Sequence, residues 1–278
     1  MRIKKPLVSI IVTTKNEEQV LGRLLSSIKT QTSEDWEIII VDNNSADRTK
    51  QIALKYTRHV YNKGPERSAQ RNFGAKTGKG KYLFFLDADM ELSKEVIKEC
   101  LIIVEKNNKI GAVVIPEKSI AHTFWEKVKA FERSFYNLEG DEATDAARFF
   151  PKKVFDLAGG YDENITGPED WDLPETIEKM GYKIGRIKSL VYHHERVLNP
   201  FKLGKKKYYY GLRAHSYMSK HDVSVFGSKT IYFLRPVFYR NWKRLIAHPI
   251  LTLAMFYMLS IEQVSGGLGY IVGRIKNA

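Results

Sequence analysis

The chain has 278 residues, 43% hydrophobic and 28% charged, with a formal net charge of +13. That balance excludes an intrinsically disordered protein and leaves room for one large domain or two. A single cysteine, Cys100, excludes an intramolecular disulfide framework, and the opening "MRIKKPLVSIIVTT" lacks the long apolar stretch of a secretory signal. The charge is concentrated: residues 201–244 hold eleven Lys/Arg against Asp222 alone, so residues 1–200 are nearly neutral. A nucleic-acid surface running along the whole chain is therefore not expected.

In chain order, "LVSIIVTT" reads as a buried β-branched strand. "NEEQVLGRLLSSIKTQ" follows as a helix, with Val20, Leu21, Leu24, Leu25 and Ile28 at helical spacing and acids in its first turn. "WEIIIVDNNS" is a second strand, and "SADRTKQIALKY" a helix with Ser45 as its predicted N-cap. "HVYN" is a short strand, "SAQRNFGAKTG" a helix and "KYLFFLDAD" a strand. Then come the helix "SKEVIKECLIIVEKN", where Cys100 packs, and the strand "IGAVVIP". Strands apolar throughout and alternating with helices predict an α/β fold with a mostly parallel sheet covered on both faces. Ligands of such sheets bind beyond the carboxyl ends of the strands. Polar residues gather there at 13–17, 42–44 and 87–89.

Residues 117–146 read as helical and surface-like, with Phe124, Trp125, Val128, Phe131 and Phe135 in a mixed stripe. "GPEDWDLPETIEKMG" follows a Gly-rich turn, and "YKIGRI" and "SLVYHHE" read as strands. The expected division is 1–200 for the α/β domain and 201–278 for a basic, aromatic C-terminal region. In that region "LIAHPILTLAMFYMLSI" and "QVSGGLGYIVG" carry no formal charge. Such stretches suit membrane-embedded or membrane-surface helices, or else a buried hairpin or an oligomer interface. On the membrane reading, the basic flank "FLRPVFYRNWKR" would face the cytoplasm.

Asp87 and Asp89 point to one side of an extended backbone, where both could meet a Mg²⁺ or Mn²⁺ ion or a sugar hydroxyl. The same D-x-D spacing recurs at Asp170 and Asp172, where Asp172 could simply cap a helix. No phosphate-binding P-loop and no G-x-G-x-x-G after the first strand is found.

Five ordered stretches carry a resemblance: "PLVSIIVTTKNEE", "IIIVDNNSADRT", "RSAQRNFGAKTGKGKYLFFLDADM", "AGGYDENITGPEDWDL" and "YHHE". Together they resemble the family-2 inverting glycosyltransferases of the GT-A fold over roughly residues 6–200. The resemblance implies transfer from a nucleotide diphosphate-sugar, with Thr13, Lys15, Glu17, Asp42, Asn44, Arg67, Arg71, Asn72 and Asp87 around the donor. It implies a divalent metal at Asp89 and at His193 or His194. Asp170 matches the general base, with Glu169 as a like-charged neighbour and Trp171 as a wall for acceptor or sugar. Arg67 and Arg71 could also be a solvated helix face, and Trp171 or either histidine a packed core residue. The Q-x-x-R-W motif of processive members is absent, which favours transfer of a single sugar. "KKKYYYGLR" would suit a phosphate-bearing lipid acceptor, with Lys205–Lys207 near phosphates. Two rivals remain: a sugar-nucleotide nucleotidyltransferase, which usually shows a glycine-rich loop after the first strand, and a non-enzymatic binder of anionic membranes or nucleic acid. A homo-oligomer is also compatible with the pattern.

Overall fold

The computed structural model describes residues 5–136, 140, 146–227 and 230–276. Of the helical stretch expected over 117–146, residues 137–139 and 141–145 lie outside the described residues. In chain order come β1 (Val8–Thr14), α1 (Leu21–Lys29), β2 (Trp36–Asp42), α2 (Thr49–Leu54), β3 (Val60–Asn62), α3 (Arg67–Thr77) and β4 (Tyr82–Asp87). They continue with β5 (Met90–Leu92), α4 (Val96–Lys106), β6 (Ile110–Val114), β7 (Glu117–Ile120), α5 (Phe124–Arg133), β8 (Ala147–Pro151) and α6 (Lys152–Leu157). Then follow α7 (Glu169–Lys179), β9 (Lys183–Arg186), β10 (Val191–His194), α8 (Pro200–Gly211), α9 (Ala214–Lys220), α10 (Pro236–Arg240), α11 (Trp242–Ala247) and α12 (Pro249–Lys276).

The chain forms two compact units. The first comprises Met1–Glu117, Ala146–Glu163 and Glu169–His193; the second comprises Lys118–Asp145, Asn164–Pro168 and His194–Ala278. The sequence reading divides the chain at residue 200. The structure divides it at His193 and also draws two earlier stretches into the second unit, which a pattern read along the chain does not reveal.

The first unit is built on a seven-stranded sheet of order β3-β2-β1-β4-β8-β6-β9. Its pairs are parallel except those of β8, which runs antiparallel to β4 and β6. Strand alternation explains the unbroken apolar runs. Ile10, Val12, Phe84 and Leu86 join one buried cluster, and Ile11, Leu83 and Phe85 join the cluster on the other face. Gly74 lets α3 lie against β1, because a Cβ there would strike the Ile11 side chain. Cys100 is buried in α4, and burial pushes its thiol well above the usual range, in keeping with a packing role. Register aligns the site: Thr13 lies beside Asp87, and Thr14 beside Asp42. A short antiparallel pair outside this sheet, β10 on β5, sets His193 opposite Met90.

In the second unit, the stripe expected to lie on the surface forms a core. Val128, Phe131 and Phe135 are buried with Phe238, Met255 and Met258. Helix α5 starts from a capping box between Thr123 and Glu126. From Pro249 onward the two uncharged C-terminal stretches merge through Glu262 into the single helix α12, while Leu245–Ala247 close α11. Gly269 and Gly273 of α12 meet the backbone of Tyr208 on α8 and of Leu212 at its C-cap so closely that neither has room for a Cβ. This small-residue contact escaped the sequence reading, although Ser265, Gly269 and Gly273 repeat at every fourth position. Buried Glu262 receives Lys129 of α5 at 3.2 Å and Lys207 of α8 at 3.5 Å. Lys207 thus faces inward, not toward a lipid phosphate, whereas Lys205 and Lys206 are exposed. Burial lowers the proton affinity of Lys129, but the Glu132 and Glu262 carboxylates outweigh it and raise its pKa above the usual range.

Candidate active site

The carboxyl ends of β1, β2 and β4 supply one wall of the site. Thr13 is buried, Lys15 and Asn44 are exposed, and Glu17 is half-buried with its N–H donated to Thr49 Oγ1 at 2.7 Å. Asn16 and Asn44 take positive φ angles of 56° and 50° and turn the two loops. Asp42 is enclosed. It accepts from Thr14 Oγ1 at 2.8 Å, Ser45 Oγ at 2.6 Å and Ser45 N at 2.7 Å, with Lys50 Nζ at 3.6 Å. In this geometry Asp42 braces the loop and presents no carboxylate surface to a nucleotide base. Ser45 is correspondingly not the N-cap of α2. The helix begins at Thr49, whose N–H is accepted by Asp47 Oδ1 at 3.0 Å.

The centre of the site is Arg71, on α3. Its guanidinium is fully buried, donating to Asp170 Oδ1 from Nη1 at 2.6 Å and to Asp87 Oδ1 from Nη2 at 3.2 Å. One arginine therefore joins the end of β4 to the first turn of α7. The solvated-face alternative fails for Arg71. Buried without partners, this charge would be prohibitively costly; with two carboxylates and the Tyr161 ring at 5.0 Å, it is compensated. Arg67, one turn earlier, reaches Glu169 at 2.7 Å. Glu169 is thereby neutralised by its own cation beside Asp170. Asn72 holds Tyr161 through both its amide atoms, at 2.8 and 2.9 Å, and donates to Glu163 at 3.1 Å, so in this geometry it secures the turn before α7. Trp171 is half-buried in the first turn of α7.

Two residues that the sequence reading did not name complete the charge pattern. Arg148 lies at the start of β8 and donates to Glu117 Oε1 from Nη2 at 2.7 Å and from Nε at 3.0 Å. It also reaches Asp87 Oδ2 at 3.5 Å. Burial alone would raise the Asp87 carboxyl; the Arg71 guanidinium, then Arg148, outweigh it and hold it well below the usual carboxylate range. Because β8 runs antiparallel, its first residues lie at the edge where β4 ends. A rule built on carboxyl ends of parallel strands passes over it. The available signal was Arg148 itself, a charge inside the apolar run "ARFFP".

On the far side, His193 Nε2 stands 3.7 Å from Asp89 Oδ2, and His193 Nδ1 stands 3.8 Å from Glu117 Oε2. Antiparallel pairing of β10 with β5 produces this approach and selects between the two histidines. Alternation along the strand sends His194 to the opposite face from His193. Among the described residues no group of three or more His, Cys, Asp and Glu side chains is close enough to hold a metal ion.

The sequence model of Glycosyl transferase family 2 matches residues 9–159, more than half of the chain. An uncharacterized glycosyltransferase of Haemophilus influenzae is 35% identical over 117 residues, covering 40% of this chain and 39% of that protein. A beta-monoglucosyldiacylglycerol synthase of Trichormus variabilis is 29% identical over 192 residues, covering 60% of this chain and 40% of that protein. The chain thus spans well under two thirds of the length of these relatives. Among solved structures, a mannosyltransferase of Pyrobaculum calidifontis in complex with GDP-Man and Mn²⁺ superposes with a TM-score of 0.59 at 16% identity. It covers 95% of this chain and 74% of that one. At that identity the likeness establishes the fold, a GT-A type α/β sheet.

Proposed function

The chain belongs to glycosyltransferase family 2, and from that premise we propose an inverting transfer of one sugar from a UDP- or GDP-sugar to a lipid-linked acceptor at the cytoplasmic face of a membrane. The observation that carries the reaction is the Arg71 bridge. It ties a carboxylate at the donor crevice, Asp87, to a carboxylate at the start of α7, Asp170. Asp170 takes the proton of the acceptor hydroxyl as that oxygen attacks the anomeric carbon from the face opposite the diphosphate. The new glycosidic C–O bond forms, and the bond to the diphosphate breaks with its electron pair leaving on the diphosphate. If the acceptor is a phosphate, already ionised, Asp170 orients it instead.

Arg71 keeps both carboxylates fixed and Asp87 ionised, ready to accept hydrogen bonds from ribose or sugar hydroxyls. Thr13 at the end of β1 and Lys15, Glu17 and Asn44 on the loops after β1 and β2 line the nucleotide, with Asp42 as an internal brace. Glu169 and Trp171 flank the acceptor side. A divalent cation would be held by Asp89 and His193, an oxygen and a nitrogen donor 3.7 Å apart whose chemistry suits Mn²⁺ or Mg²⁺. When bound, the cation would neutralise charge on the leaving diphosphate. Mn²⁺ and GDP-Man in the Pyrobaculum mannosyltransferase, and the lipid named in the Trichormus synthase, support the donor, metal and acceptor classes. One apolar helix, Pro249–Lys276, supports the membrane location.

A donor panel tests the reading: nucleoside diphosphate release from UDP- and GDP-sugars is measured with Mg²⁺, Mn²⁺ or excess chelator, with and without a polyprenyl phosphate acceptor. Acceptor-stimulated release from one donor is expected. Absence of release from every donor, with no nucleotide-sugar binding, would overturn it.

A further inference from the structure

Helix α12 has two faces of opposite character. The inner face holds Met255, Met258, Leu259 and Glu262, buried against α5 and α8. The outer face presents Ile250, Leu253, Val264, Leu268, Ile271 and Ile275, each between 54% and 73% exposed. They are spaced three or four residues apart except for the eleven-residue step Leu253–Val264, which exposed Tyr257 divides into four and seven, and these spacings keep them on one side of the helix. At 1.5 Å per residue the stripe runs for about 38 Å. The residues that bracket it are basic and exposed, Arg240 and Lys243 before it and Arg274 and Lys276 on either side of its last residue, Ile275. From residue 223 onward the sequence contains one acid, Glu262, and that one is buried.

We propose that this outer face of α12 lies flat in the interfacial layer of an anionic lipid membrane, its apolar stripe facing the acyl chains and the flanking lysines and arginines pairing with headgroups. The inference rests on the membrane location proposed above and makes it specific: attachment from one side, without crossing. A crossing helix would carry Glu262 and its partners Lys129 and Lys207 into the hydrocarbon, together with the lysine-bearing helix α8. Lying flat keeps those charges within the second unit. Charge complementarity also favours lipid over a second copy of the chain. Two copies joined through this face would bring their basic borders together, and from residue 223 onward the chain exposes no acid to pair with them.

The test uses the full chain and vesicles. Flotation with phosphatidylcholine vesicles, with and without phosphatidylglycerol, should show binding that needs the anionic lipid and weakens with salt. Leu253→Glu and Ile271→Glu alter only exposed positions and should each reduce vesicle binding about tenfold or more, with unchanged circular dichroism. Leu253→Cys, Val264→Cys and Ile271→Cys, labelled with a fluorophore while Cys100 stays buried, should be quenched equally by shallow lipid-borne quenchers. A depth that changes steadily along the helix would mean that it crosses, and would overturn the proposal. So would a dimer abolished by Leu253→Glu in a protein that binds no vesicle. Donor affinity in solution is read in parallel. If vesicles bind but no nucleotide-sugar does, the transfer reading fails alone; if donors bind and vesicles do not, the membrane inference fails together with the proposed membrane location, and the transfer of a sugar from the donor stands.

Discussion

Each unit of the molecule buries a chain of alternating charges, and the two chains differ in one respect. In the first unit Asp170, Arg71, Asp87, Arg148 and Glu117 run in sequence, and the carboxylates at its heart keep side-chain exposures of 19% for Asp87 and 20% for Asp170. In the second unit Lys129, Glu132, Glu262, Lys207 and Arg235 form a comparable set. There Glu132 and Glu262 are only 2% and 1% exposed, closed in by the helices that carry them. Both sets satisfy the same electrostatic demand, that buried charge be paired. The open one stands where parallel strands end and, on the proposed function, exchanges a partner for a ligand. The closed one has no such freedom and holds helices together. Perturbed protonation is therefore no guide to which is functional, since both sets contain strongly shifted groups.

The largest test of that distinction is a pair of isosteric changes. Asp170→Asn removes the proposed proton acceptor and should lower kcat about 10²–10⁴-fold with a hydroxyl acceptor, the usual contribution of a general base. Glu262→Gln should leave kcat per folded molecule within about twofold, the change being confined to stability. Steady-state kinetics corrected for the active fraction compares the two. An equal loss of kcat in both variants would erase the contrast between the networks.

Stability should treat the two alike. Arg71→Met takes from Asp170 its cation and from Asp87 the nearer of two, leaving Arg148 at 3.5 Å, and Lys129→Met takes from Glu132 and Glu262 their nearest cation, leaving Arg235 at 3.7 Å and Lys207 at 3.5 Å. Removal of one partner from a buried ion pair costs about 3–5 kcal/mol. Denaturant unfolding followed by circular dichroism should find both variants in that range. A cost below about 1 kcal/mol for Arg71→Met would mean that solvent, not the guanidinium, already satisfies the carboxylates.

The pH dependence sharpens the point. The folded pKa of Asp87 lies well below its unfolded value, so its contribution to stability is fully present above the unfolded value of about 3.9 and is lost as pH falls toward the folded one. The Glu132 carboxyl is lowered too, by Lys129 and Arg235 against the opposing effect of burial, and follows the same sign. Wild-type stability should thus fall on acidification below about pH 4, while the contribution of these two groups stays constant between pH 5 and 8. Arg71→Met should raise the pKa of Asp87 and move the onset of acid destabilisation to higher pH. Urea midpoints measured across pH 3–7 would reveal an unshifted onset, which would remove Arg71 as the source of the depression.

Much of the first unit was legible because its signals are local. Apolar β-branched runs, helical spacing and acids at strand ends require only neighbours in sequence, and they located β1, β2, β4 and the D-x-D pair. What escaped depends on partners distant along the chain. Arg148 gains its meaning only when β8 is laid antiparallel beside β4, 61 residues from Asp87. His193 is distinguished from His194 by a pairing with β5, a three-residue strand too short to announce itself. The stripe of α5 looked solvent-facing until Met255 and Met258, more than a hundred positions later, came to cover it. Asp42 was read from its place at a strand end, and only the bonds from Thr14 and Ser45 show its brace role.

Glu117 is the subtlest member of the open network, and its effect should be the smallest. It holds Arg148 through two hydrogen bonds and faces His193 Nδ1 at 3.8 Å, so it orients two groups without lining the reaction path. Glu117→Gln keeps an acceptor oxygen for Arg148 but removes the negative charge from behind the imidazole. Groups that orient a metal-ligating histidine typically change metal affinity 10–100-fold when altered. Because one oxygen survives here, the Mn²⁺ concentration for half-maximal activity should rise by about tenfold, the low end of that range, with kcat at saturating metal unchanged. A metal titration of wild type and variant separates the possibilities. A fall in kcat with unchanged metal dependence would move Glu117 into the reacting set, and the line between open and closed networks would have to be drawn through the donor crevice itself.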